Sequence, residues 1–155
     1  MKKRQKKYSK RVVKNTIELT IGRYKPLDNK QIEDIDLFLR THFLSLGNGT
    51  GTEQALWFIS AQLEVAHLCV EKDVSVENKT EFLDACKIAM QGIKRAIKRL
   101  NEGKGIGLDG DTFSLCRDIL NAHIDHIRGL GQGVINDAIN ECRARAGRGL
   151  LEVAK

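Results

Sequence analysis

The chain has 155 residues, 41% of them hydrophobic and 30% charged, and a net charge of +6. That length is enough for one domain with its own core, so disulfides or metals are not needed to hold it together. The longest apolar run, Ala55–Val70, is interrupted by Gln62, Glu64 and His67 and is short for a bilayer span, which excludes a membrane-crossing reading.

The charge is unevenly spread. Residues 1–14 hold eight cations (Lys2, Lys3, Arg4, Lys6, Lys7, Lys10, Arg11, Lys14) and no acid, leaving 18 basic against 20 acidic residues in the rest of the chain. A block of like charges repels itself, stays disordered and suits a polyanionic partner. A basic N-terminal arm over 1–14 is therefore expected. No apolar stretch of the kind a secretory signal needs follows Met1. Cys69, Cys86, Cys116 and Cys142 fall singly on apolar positions without C-x-x-C spacing, as buried thiols in a reducing compartment do. A soluble, cytoplasmic protein is expected.

After the arm, N-T-I-E-L-T-I at 15–21 alternates with period two: Ile17, Leu19 and Ile21 on one side, Thr16, Glu18 and Thr20 on the other. This predicts a strand. A lone strand needs an outside partner for its backbone groups, either a second copy or another protein. A helix is predicted over 28–46, opened by Asp28 and Gln31 as a capping box and carrying Ile32, Ile35, Leu39, Phe43 and Leu46 at helical spacing. G-N-G-T-G-T at 47–52 ends it. The next helix, 53–71, is apolar nearly all round and is expected to be central. A third, over 80–101, puts Phe82, Cys86, Ala89, Met90, Ile93, Ala96, Ile97 and Leu100 in one arc and Lys87, Lys94, Arg95, Lys98 and Arg99 in the opposite one. A glycine-rich loop follows. Asp111 is expected to cap a fourth helical stretch over 112–146, broken near 129–133 by Gly129, Gly131 and Gly133. The basic stretch from Arg143 is expected to fray, with a tail over 148–155.

These elements predict an all-α fold: an antiparallel bundle of four to five helices, one short N-terminal β-strand and a basic disordered arm, with the helical domain spanning 15–147. A strand followed by two helices resembles the order in ribbon–helix–helix dimers, whose ribbon enters the major groove. Thr16, Glu18 and Thr20 would then form the ribbon face. The first helix is long for such a module, however, and half the chain lies beyond the second.

Lysine and arginine displace counterions condensed on phosphates. The arm and the cationic face of the third helix therefore both point to nucleic acid, DNA or RNA, as partner. Tyr8, the arm's one aromatic, could stack on a base. A protein-interaction module, working through strand 15–21 or the helical surface, is the alternative. G-I-G-L-D-G at 105–110 spells G-x-G-x-x-G, but a helix precedes it where the dinucleotide fingerprint needs a strand. G-N-G-T-G-T lacks the lysine of a P-loop. His123 and His126 share a helix face beside Asp125, but two histidines do not make a site that needs three or four ligands; they read as surface or interface residues. No nucleophile has a base partner at a recognisable spacing. No enzyme activity, cofactor or metal is expected.

Overall fold

A computed structural model of the chain describes residues 23–147. They form five helices: α1 (Asn29–Gly47), α2 (Glu53–Lys72), α3 (Lys79–Asn101), α4 (Gly110–Ile127) and α5 (Gln132–Gly147). The expected strand at 15–21, the arm at 1–14 and the tail at 148–155 lie outside the described residues. Within those residues, the one extended pairing is an isolated antiparallel bridge between Pro26 and Gly131. No described helix is long and apolar enough to cross a membrane.

The helix starts follow local chemistry. Asp28 accepts the Gln31 backbone N–H at 2.8 Å, and the Gln31 side chain accepts the Asp28 N–H at 2.9 Å, completing the capping box that opens α1. Thr52 caps α2 through the Ala55 N–H at 3.1 Å. At α4 the expectation is corrected: Asp109, not Asp111, is the cap, accepting the Thr112 N–H at 2.8 Å. Asp109 is also paired with Arg95 across from α3, and this tertiary partner decides between two carboxylates that local sequence leaves equivalent. Asp111 sits in the first turn, where a negative charge suits the helix dipole.

Helix α2 packs against all four other helices. Its buried residues, Leu56, Ile59, Leu63, Val65, Leu68 and Cys69 among them, take up most of its circumference, as its near-continuous apolar sequence implies. Around it α1 contributes Ile32, Leu39, Phe43 and Leu46. Helix α3 contributes Cys86, Ala89, Met90, Ile93 and Ala96 from the expected arc. Phe43 of α1 stacks on Phe113 of α4 with centroids 4.3 Å apart. A β-carbon at Gly47 would stand 2.6 Å from the Phe113 ring, so the first glycine of G-N-G-T-G-T makes room for that stack. Gly49 takes φ +71°, a left-handed turn that favours glycine.

The break at 129–133 has a tertiary cause. The segment 23–26 lies against the start of α5, where the Gln132 N–H donates to the Lys25 carbonyl at 2.9 Å. A β-carbon on Gly131 would stand 2.3 Å from the Arg23 carbonyl oxygen, and one on Gly133 2.7 Å from the Arg23 side chain. These glycines let a second piece of backbone close in. Helix α5 then continues through Arg143 to Gly147, where fraying was expected. Arg145 holds it, reaching Glu64 of α2 at 2.9 Å and Glu141 at 2.6 Å.

Candidate nucleic-acid interface

The expected cationic face of α3 divides in two. Its C-terminal part, Arg95, Lys98 and Arg99, lines an open cleft of about 440 Å³ together with Glu102, Lys104 and Asp109. The cleft exists because the loop after α3 folds back. Gly103 and Gly105 take φ +73° and +85°, and Arg99 donates to the Gly107 carbonyl at 2.6 Å, tying the loop to the helix. Four cations thus face two carboxylates. Lys87 lies elsewhere, in a smaller depression with Glu64, His67, Met90 and Arg145, and 3.5 Å from Asp84. Lys94 is half-buried and makes no ion pair among the described residues.

Several of these charges are already partnered. Arg95 reaches Asp109 at 3.3 Å and the Thr112 hydroxyl at 3.2 Å. The Thr112 N–H and hydroxyl, then Arg95, hold the Asp109 carboxyl below its ordinary range, so it stays ionised beside the arginine. Glu102 takes Lys104 at 2.7 Å and lies 4.0 Å from Lys98. These pairs are exposed, and exposed pairs bind weakly and are readily exchanged for another anion. Lys98 has a side chain 79% exposed, and Lys104 is exposed as well. Both can turn to a phosphate without giving up a strong interaction. Arg99, tied to the Gly107 carbonyl, is the fixed member, and Arg95, Lys98 and Lys104 are the adaptable ones. The arm cations, Lys2, Lys3, Arg4, Lys6, Lys7, Lys10, Arg11 and Lys14, lie outside the described residues.

Lys104 escapes the helical-arc argument because it follows the helix. The available signal is G-K-G at 103–105: a lysine between two glycines that can take positive φ is placed to point back at the helix end.

G-I-G-L-D-G is loop and cap between α3 and α4, without the strand a dinucleotide site requires. The two histidines are not a surface pair. His123 is buried in the core at 2% exposure. Burial, then the neighbouring His126, pushes its pKa down to about 4, so it is neutral at pH 7. His126 meets Asp73, the C-cap of α2, at 2.8 Å, while Asp125 faces solvent. Among the described residues no three His, Cys, Asp or Glu side chains converge as metal ligands would. All four thiols are free and buried, and burial pushes Cys86 and Cys116 up to about 12 and Cys69 and Cys142 to about 11. They remain protonated and unreactive at neutral pH. Comparison of the chain with protein-family models, with curated proteins and with solved structures gave no match.

Proposed function

We propose that this is a non-enzymatic nucleic-acid-binding protein, a small cytoplasmic regulator or an accessory subunit of a nucleoprotein complex. The observation that carries the reading is the convergence of Arg95, Lys98, Arg99 and Lys104 on one open cleft. A chain that also concentrates eight cations in its first 14 residues has a second, sequence-distant phosphate-contacting element. The arm supplies affinity, and the cleft, built on a helix end and a tied loop, fixes position.

The test is fluorescence anisotropy with labelled single- and double-stranded oligonucleotides across a salt series. The logarithm of affinity should fall linearly with the logarithm of salt concentration. Removing residues 1–11 should make that slope shallower by roughly 0.9 for each duplex phosphate that the arm neutralises. The K98E/K104E variant should weaken binding by roughly ten-fold or more at low salt. No binding by the full chain at low salt would overturn the proposal.

A second reading, a protein-interaction module such as an adaptor, inhibitor or anti-activator, is favoured by one feature of α1. Leu37 and Leu44, seven residues apart on one face, are 68% and 53% exposed. Exposed leucines in register suit a partner helix or a second copy. Stoichiometric capture of one protein from nuclease-treated lysate, abolished in L37K/L44K, would support that reading over nucleic acid.

A further inference from the structure

We propose that Asn48 is a site of spontaneous covalent modification: its side-chain amide condenses with the Gly49 nitrogen, the residue ends as aspartate or isoaspartate, and the end of α1 is loosened. Asn48 is the one asparagine of the chain that a glycine follows, and a glycine puts no side chain in the path of the attack. The structure leaves both reacting groups open. Asn48 and Gly49 are exposed in the turn after α1, and a β-carbon at Gly49 would meet nothing within 4 Å. The backbone bonds of the turn pass over the reacting nitrogen. The Asn48 N–H donates to the Leu44 carbonyl at 3.0 Å and the Thr50 N–H to the Ser45 carbonyl at 3.1 Å, while the Gly49 N–H donates to no backbone group among the described residues. The Asn48 side chain likewise makes no hydrogen bond among the described residues, so its amide is free to turn towards that nitrogen.

The chemistry needs only water. A solvent base takes the Gly49 amide proton, and the nitrogen attacks the Asn48 Cγ. The Cγ–Nδ2 bond breaks, and the side-chain nitrogen leaves as ammonia with a proton from water. Water then opens the cyclic imide. Opening at the Cγ carbonyl gives aspartate. Opening at the main-chain carbonyl gives isoaspartate, whose backbone runs through the former side chain. One water is consumed and one ammonia released for either product.

Asp109 precedes Gly110 and could form the same imide by losing water, but the fold protects it. Its carboxylate accepts the Thr112 N–H at 2.8 Å and pairs with Arg95 at 3.3 Å, so closing the ring would give up the cap of α4. Those contacts also keep it ionised, and a carboxylate is a poor electrophile. Asn48 has no such tether. Conversion there places a carboxylate at the negative end of the α1 dipole, and the last turn of α1 holds no basic residue to offset it. Isoaspartate also adds a carbon to the backbone of a turn held on both sides, by Gly47 against the Phe113 ring and by Gly51 against Leu46. The turn shares no residue with the basic cleft on α3, so the two can be tested separately.

The full chain is held at mildly alkaline pH, folded or in urea, and mapped by peptide mass spectrometry with fragmentation that separates aspartate from isoaspartate. Each event at Asn48 should raise the mass by about 1 Da and release one ammonia. In the folded chain Asn48 should convert at a rate within about ten-fold of its rate in urea, while Asp109 isomerises in urea only. Asn48→Gln, whose imide ring would be larger and slower to close, should lose the rapid ammonia release. The converted protein, separated by its extra negative charge, should have a lower urea midpoint than the fresh chain. An Asn48 that converts in urea but not in the folded chain, an Asp109 that keeps pace with it in the folded chain, ammonia release that survives Asn48→Gln, or a midpoint unchanged by conversion would each overturn the proposal.

Discussion

At Gly92 a single hydrogen sets how closely α3 and α4 approach. A β-carbon there would stand 2.1 Å from the Thr112 hydroxyl oxygen, and Thr112 is buried at 4% exposure, so it has little room to withdraw. Thr112 also accepts a hydrogen bond from Arg95, so any shift reaches the basic cleft. Alanine would ordinarily stabilise a helix interior by about 1 kcal/mol relative to glycine. Here overpacking, at about 1–3 kcal/mol, outweighs that gain. Gly92→Ala is expected to lower the urea midpoint and to weaken oligonucleotide binding together. A raised midpoint would mean that the helices separate without cost. In the sequence this glycine is visible only as an interruption of a good helical pattern; what it touches lies twenty residues away, beyond the reach of any local periodicity.

Helices were the legible level of this molecule. The arcs of α1 and α3 and the near-circumferential apolarity of α2 came through because 3.6-residue periodicity is written in neighbouring residues. The capping box at Asp28 came through for the same reason. The cap of α4 and the cause of the break at 129–133 did not, because each depends on a residue distant in sequence: Arg95 and Arg23. The candidate cleft divides along the same line: Arg95, Lys98 and Arg99 lie on the arc that periodicity describes, and Lys104 lies beyond it. Glu64 shows what such long-range pairing is worth. Its carboxylate is 3% exposed in the central helix, held by Arg145, which also takes Glu141; Glu141 in turn pairs with Lys72 at 2.6 Å. Removing the partner of a buried charge costs about 3–5 kcal/mol when both groups are fully buried. Arg145 is 29% exposed, so water can partly replace it. Arg145→Ala should therefore cost about 2 kcal/mol, and adding Glu64→Gln should recover part of that loss. Denaturant melts of the two variants check this, and a double variant no better than the single would place the loss in the packing of the arginine stem.

For the whole molecule, one buried imidazole and three hydrogen-bonded carboxylates give stability a definite pH profile. His123 has an ordinary pKa of 6.5 and a folded value near 4. Between those values the unfolded chain takes up a proton that the folded chain refuses. Stability is therefore unaffected by this group above pH 6.5 and declines as pH falls towards 4, by about 3 kcal/mol if the full shift is realised. Asp73 has its pKa lowered from 3.8 to about 2, first by the Ser75 hydroxyl and then by His126. Its contribution is complete above pH 3.8 and is lost as pH falls towards 2. Asp109 and Glu141 are lowered for similar reasons and act in the same sense. The two windows barely overlap, so they can be separated. Chemical denaturation from pH 7.5 to 3 should show a decline beginning near neutrality, earlier than carboxylates alone would give. In His123→Leu the decline between pH 6.5 and 4 should flatten, while the steeper loss at lower pH persists. A parallel profile in the variant would mean that another group, and not this core imidazole, governs the upper window.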